Sequence, residues 1–327
     1  MTLRHTLLRA ASVTLAAMLV PGCQPRPQAA APGTPTAQAP AADRSAPSLE
    51  ELRNATYSGV AEAGASFTLA GGRWEGPPFE PGAASRPGVT FVRDFRLLGD
   101  LDGDGAEEAV VLLGAHAGGS GERSYVAVVG RTASTPRNLA TAPLGDRVHV
   151  RDARINGRAI VLDVVQAGEH DAACCPGDLV TRTWTLDAGA LKEGAPVKTG
   201  RLSIDVLAGT EWVLKAWAWD EAAPAAPEVT LKLDGSRVGG SAGCNNYFAP
   251  VKPGDAPGDI TMGPAGATRK MCPEPDMMVE ARFLRQLVGV TQLRFVAAQL
   301  ALSYTREDGT LGVMLFGRRA VQSQRRD

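Results

Sequence analysis

The sequence predicts an α+β fold that is predominantly β. Three observations carry this expectation. Short β-branched or alternating runs recur from residue 89 to 186 and again from 228 to 316, bounded by Gly, Pro or Asp. Glycine is frequent, at 37 residues, while aromatics supply only 5% of the chain, a balance that suits strands joined by many turns. One stretch, 273–290, instead spaces its apolar residues at a helical period. The resulting organisation is an N-terminal β-rich domain, then an antiparallel sheet carrying one helix.

Residues 1–22 read as a signal peptide. Arg4 and Arg9 form a basic start, and 10–20 is an apolar run. That run is shorter than the roughly 20 residues a bilayer-spanning helix needs. It ends in Leu19-Val20-Pro21-Gly22-Cys23, which places a small residue before a cysteine at the cleavage point. Cys23 is therefore expected to be lipidated; the plain alternative is simple secretion with Cys23 incidental. Two or more acyl chains anchor a protein stably where one is marginal. Gln24 follows, and similarity to proteobacterial lipoproteins implies sorting to the outer membrane, facing the periplasm.

Residues 23–47 are rich in Ala and Pro with no aromatic residue, so they cannot bury enough surface to fold. They are expected to form a disordered, extended tether of roughly 3 Å per residue. Removing Arg4 and Arg9 takes the formal charge from −1 to −3. A weakly acidic chain with no basic stripe is not expected to bind nucleic acid. Besides Cys23 four cysteines remain, an even count that suggests disulfides in an exported protein.

The first domain is expected over 48–200. Pro47, Leu49 and Leu52 suggest a short helix near 48–54. Strands are expected at 89–92, 95–98, 109–113, 124–129, 147–150, 159–165 and 179–186. Between the second and third of these lies an Asp-rich loop. Asp100, Asp102 and Asp104 stand at loop positions 1, 3 and 5, Gly105 at 6, the Ala106 carbonyl at 7 and Glu108 at 9, an oxygen spacing that suits Ca²⁺. An EF-hand would place a bidentate Glu at position 12, where this chain has Val111. The loop resembles the calcium loop of FG-GAP repeats, here in a single copy. The other reading is an acidic turn between strands, although its carboxylates repel one another unless a cation screens them.

A second unusual stretch is Glu169-His170-Asp171-Ala172-Ala173-Cys174-Cys175-Pro176. It admits a vicinal disulfide between Cys174 and Cys175, a loop oxidised for stability, or a transition-metal site using His170 and a thiolate. The order of the Asp-rich loop, Gly145-Asp146-Arg147-Val148 and Cys174-Cys175-Pro176 resembles actinobacterial lipoproteins of the LppP/LprE type, a resemblance that implies no activity.

The second domain is expected over 201–319, with a tail at 320–327. Strands are expected near 228–233, 235–242, 259–262, 292–296, 299–304 and 311–316. Pro275 suits a helix's first turn, and the spacing of Val279, Phe283 and Leu287 turns one face to the sheet. Trp212, Trp217 and Trp219 are expected in core and rim. The centre of this domain is 239–273, which opens with Gly239-Gly240-Ser241-Ala242-Gly243-Cys244-Asn245 and closes with Thr268-Arg269-Lys270-Met271-Cys272-Pro273. These elements, with Trp212, Gly263-Pro264 and Phe283-Leu284, resemble the META domain, the family of the heat-shock lipoprotein HslJ, over roughly 207–318. The resemblance implies an envelope-stress setting, including tolerance of the antibiotic novobiocin, and no agreed activity. It also implies that Cys244 and Cys272 lie close enough to pair, which Gly243 and Pro273 would assist by turning the chain. Pairing of either with Cys174 or Cys175 stays open at this level.

Gly239-Gly240-Ser241-Ala242-Gly243 fits the G-x-S-x-G hydrolase pattern, but all four histidines (His5, His116, His149, His170) precede it, against the chain order that fold uses. Met271, Cys272, Met277 and Met278 could be soft-metal ligands but read as gap-fillers around the helix start. No P-loop or dinucleotide fingerprint is present. No catalytic residue is assigned. The expected function is non-enzymatic binding of an envelope protein, glycan or small ligand by a lipid-anchored protein. The alternative is an enzyme or metal-handling periplasmic protein, metal-dependent through the 100–108 or 169–175 loops.

Overall fold

Ser48 caps the first helix. Its Oγ accepts the Glu51 N–H at 3.3 Å while the Glu51 carboxylate accepts the Ser48 N–H at 2.8 Å, a reciprocal cap that starts α1 (Leu49–Arg53). The computed structural model describes residues 44–319 except Ala83, Asp94, Ser120 and Ala173. Cys23, the signal segment and the 320–327 tail lie outside the described residues. The tether expected over 23–47 is held to the fold at its end. Arg44 O accepts the Glu107 N–H, Pro47 O accepts from Arg96, and Pro47 itself is buried.

After α1, β1 (Thr56–Ser58) and β2 (Ser66–Thr68) pair as a small ribbon. Next come β3 (Arg73–Glu75), β4 (Gly88–Phe91), β5 (Leu97–Gly99), β6 (Glu108–His116), β7 (Arg123–Thr132) and β8 (Thr135–Asp146). They form a six-stranded antiparallel sheet in the order β3-β4-β6-β7-β8, with β5 also on β6. A second, five-stranded sheet holds β9 (His149–Asn156), β10 (Ala159–Gln166), β11 (Asp178–Asp187), β12 (Ala190–Glu193) and β13 (Val197–Arg201).

The continuous apolar run of β6 has a packing reason. Val110 and Leu112 face Ile160, Leu162 and Trp184 of the second sheet. Ala109, Val111 and Leu113 point the other way, into Leu52, Tyr57 and Phe67. A strand covered on both faces has no solvent side and so loses the polar alternation. The longest strand, β8, carries no sequence expectation. Pro136 and Pro143 interrupt its pattern, and it accommodates them as an edge strand with two irregularities in its register to β7. The strand expected at 147–150 starts later, because Arg147 adopts a φ of 48° and forms the turn.

The remaining chain contains β14 (Glu211–Ala218), β15 (Glu221–Ala222), β16 (Thr230–Asp234), β17 (Arg237–Ser241), β18 (Asn246–Pro253), β19 (Ile260–Met262), β20 (Gly266–Ala267), α2 (Glu274–Val288), β21 (Val290–Val296), β22 (Gln299–Thr305) and β23 (Leu311–Arg318). The main sheet order is β19-β18-β17-β16-β14-β23-β22-β21. Its two ends meet: Leu293 N donates to Gly258 O at 2.8 Å, and Asp259 bridges Gln292. The sheet thus nearly closes into a barrel. Pro275 lies in the first turn of α2, and Phe283 and Leu287 are fully buried against the barrel core of Trp212, Leu231, Phe295 and Phe316. The fold is therefore α+β and mainly β, as its strand runs imply. Val165 and Leu179 from the second sheet join this same core. Ala298 N donates to Val150 O at 2.9 Å, so the 48–200 and 201–319 regions are continuous in packing.

Candidate functional site

The Asp-rich loop joins β5 to β6. Two glycines with positive φ, Gly103 and Gly105, let it curl tightly. Carboxylate oxygens of Asp100, Asp102 and Glu108 lie within 4.8 Å of one another. Asp104 does not join them: its Oδ1 accepts the Ala106 N–H at 2.7 Å. Asp100 accepts from Gly103 and Gly105, and Glu108 from the Leu101 N–H at 2.7 Å. Burial pushes the Glu108 carboxyl up from its ordinary value, the Leu101 N–H opposes this, and the three aspartates add to it. Arg158 donates to the carbonyls of Leu101 and Asp102 and braces the loop from outside. Three of the five expected ligand positions thus converge.

The loop at 169–175 has a different centre. Asp171 accepts the N–H groups of Gly168 and Gly177, both at 2.8 Å, and a two-pronged contact from Arg201. Arg201, followed by the Gly168 amide, holds the Asp171 carboxyl well below the usual carboxylate range. Arg201 also reaches Asp178 at 2.7 Å, which Lys198 pairs at 2.8 Å. Cys174 and Cys175 pair with each other, which removes both thiolates as ligands. His170 is exposed and belongs to no metal-sized cluster among the described residues. The loop is organised by an ion pair that its cysteines concealed in the sequence.

The 239–273 stretch converges on Asn245, which is buried at 1% exposure. Its Oδ1 accepts from Thr268 Oγ1 and from the Lys270 N–H, each at 2.7 Å. Its Nδ2 donates to Lys270 O and to Glu280 Oε1, each at 3.2 Å. Cys244 and Cys272 pair alongside, with Cα atoms 5.9 Å apart, an ordinary disulfide span. The two halves of the motif therefore build a polar knot beneath α2, and their role here is structural. Ser241 Oγ accepts the Gly243 N–H, and its shallow depression is lined by Glu211, Glu228 and Arg319, with no histidine.

A more enclosed cleft lies elsewhere. It measures about 540 Å³, and its walls come from α1, β3, β4 and the β21–β23 strands. Arg53 ends α1, Arg73 opens β3 and Arg93 follows β4, and all three line it. Gly71 and Gly72, both at positive φ, make the turn that brings these segments together, and Gly71 O accepts from Arg53 at 2.8 Å. Trp219, just beyond β14, is 58% exposed and also lines the cleft. Arg73 and Arg93 are exposed and without an ion-pair partner among the described residues, and no described carboxylate lines the cleft. Sequence reasoning missed this site. Its arginines stand twenty positions apart on three separate elements, and no local motif links them.

Residues 205–315 match the family model of the META domain, so the C-terminal region carries that domain. A solved structure described as the NMR structure of the protein from Burkholderia xenovorans is 28% identical in the matched region. The match covers 36% of this chain and 86% of that one, with a TM-score of 0.29. No curated protein matches the chain.

Proposed function

We propose that this META-domain chain is a lipid-anchored cell-envelope protein that binds a ligand and performs no chemistry on it. The observation that carries the binding reading is the cleft of Arg53, Arg73, Arg93 and Trp219. Guanidinium groups stay charged at any physiological pH and hold ligands without exchanging protons. An exposed tryptophan adds a large apolar surface with a polar edge. A concave site with few polar groups on an apolar wall is the usual form of a small-molecule site. The anchor rests on the sequence alone, through Cys23 and the 1–22 signal segment, with Gln24 favouring the outer membrane and a periplasmic face. The META domain suits a role under envelope stress.

One workflow tests both parts. Full-length protein is recovered from washed membranes and its native mass is recorded. Wild type is expected in the membrane fraction carrying a non-covalent mass, while Cys23→Ala is expected in the soluble fraction. Wholly soluble wild type would overturn the anchor, and a bare mass for membrane-extracted protein would overturn the binding reading.

A second reading is calcium binding by the β5–β6 loop. The convergence of Asp100, Asp102 and Glu108 supports it, since three hard oxygen ligands in one place suit such an ion. There the ion would stabilise the fold rather than act in chemistry.

A further inference from the structure

The proposed binding role leaves the ligand unnamed, and the cleft's charge narrows it. Three arginines face one concavity with no described carboxylate among its lining residues. Where a carboxylate is in reach the chain pairs its arginines closely, as with Arg131 and Glu51, Arg201 and Asp171, and Arg282 and Glu221. The cleft offers its arginines no described carboxylate of that kind. Like charges held in one place repel, and an anion relieves the repulsion while accepting the planar guanidinium forks.

The rest of the wall is apolar. Trp219, Leu49, Val296 and Leu315 line the cleft together with the arginines, Leu49 at 41% exposure. The lining also includes Ala297 of the β21–β22 turn, where Ala297 and Ala298 have φ of 50° and 66°. A two-residue turn of this kind normally takes Asn or Gly at such angles, so alanines there are strained. The strain is sustained because the Ala298 N–H is tied to Val150 O at 2.9 Å.

Resting on the binding reading above, we infer that this cleft holds a small acidic amphiphile. Its phosphate or carboxylate head lies on Arg53, Arg73 and Arg93, and its apolar body lies along Trp219.

The test uses the full chain and three probes below their micelle thresholds: dodecyl phosphate, inorganic phosphate and dodecyltrimethylammonium. Of the five tryptophans, Trp184, Trp212 and Trp217 are buried and Trp74 packs on Phe67 outside the cleft lining, so an emission change on binding reports chiefly on Trp219. Dodecyl phosphate is expected to give a saturable blue shift that Trp219→Leu abolishes. Arg73→Gln and Arg93→Gln, both at exposed positions, are each expected to weaken it on the order of tenfold with Tm unchanged, as for loss of one charged hydrogen bond. Equal binding of dodecyltrimethylammonium, or unchanged affinity in both arginine variants, would overturn the inference. So would inorganic phosphate competing as strongly as the dodecyl ester, which would mark a plain phosphate site. A neutral co-purified ligand in the native mass would also sink the acidic assignment while leaving the binding role intact.

Discussion

Asn245 donates its backbone N–H to Glu280 Oε2 at 2.7 Å, across 35 positions of sequence. Both residues are buried, at 1% and 8% exposure. The contact fastens the glycine-rich turn before β18 to the middle of α2. Removing the carboxylate would strand buried donors without water. Glu280→Ala is therefore expected to cost about 1–3 kcal/mol in urea unfolding. Glu280→Gln keeps an oxygen acceptor and is expected to cost less. Equal stability of Glu280→Ala and wild type would contradict this role.

The neighbouring pair Cys244 and Cys272 closes a separation of 28 residues. In the chain-entropy picture such a loop contributes about 3–4 kcal/mol. Non-reducing peptide mapping is expected to recover the Cys244 and Cys272 peptides joined, with Cys174 and Cys175 within one peptide. Reduction should lower the urea midpoint. Cys244 recovered free, or joined to the 174–175 peptide, would contradict this connectivity.

The loop geometry refines the calcium reading. Asp102 belongs to the converging set, whereas Asp104 caps the Ala106 amide. Ca²⁺ added to metal-stripped protein is expected to raise Tm, by the equivalent of about 2.7 kcal/mol at a hundredfold excess over Kd. Asp102→Ala should remove the rise and Asp104→Ala should reduce it less. A melt unchanged by millimolar Ca²⁺ leaves the loop as a self-capped acidic turn.

Stability should also fall in mild acid through His149. Burial, with Arg294 adding to it, holds His149 down at about 4. Above an ordinary unfolded value of about 6.5, neither state carries the proton. Between about 6.5 and 4 only the unfolded chain takes it up, so stability declines as pH falls through that window. His149→Gln is expected to flatten this part of the Tm profile. Parallel profiles for variant and wild type would show that His149 plays no part.

What the sequence made legible follows from how locally each feature is encoded. Phe283 and Leu287 sit one helical turn apart, and that spacing alone places both in the core. The β22 and β23 strands carry runs of apolar residues between turn-formers and emerge where those runs stand. In contrast, β8 hides behind Pro136 and Pro143, which an edge strand tolerates and a central strand would not. Strand β14 is harder to read, because its consecutive buried residues Trp212, Val213 and Leu214 break strict alternation. The Asp-rich loop was readable as a candidate because its ligands are nearly consecutive, but the turning away of Asp104 depends on a local amide. The cleft could not be read at all. Arg53, Arg73, Arg93 and Trp219 meet only after α1, β3, β4 and β14 take their places.

The binding role is tested most directly by photo-crosslinking at the cleft in living cells. A benzophenone amino acid replaces Trp219 in the full-length chain, and the protein is irradiated before its membranes are isolated. A covalent small-mass adduct at position 219 is the expected result, greatly reduced when Arg73→Gln and Arg93→Gln are combined. Unmodified protein after irradiation, or adducts of the same yield with and without the arginines, would contradict a ligand held in this cleft.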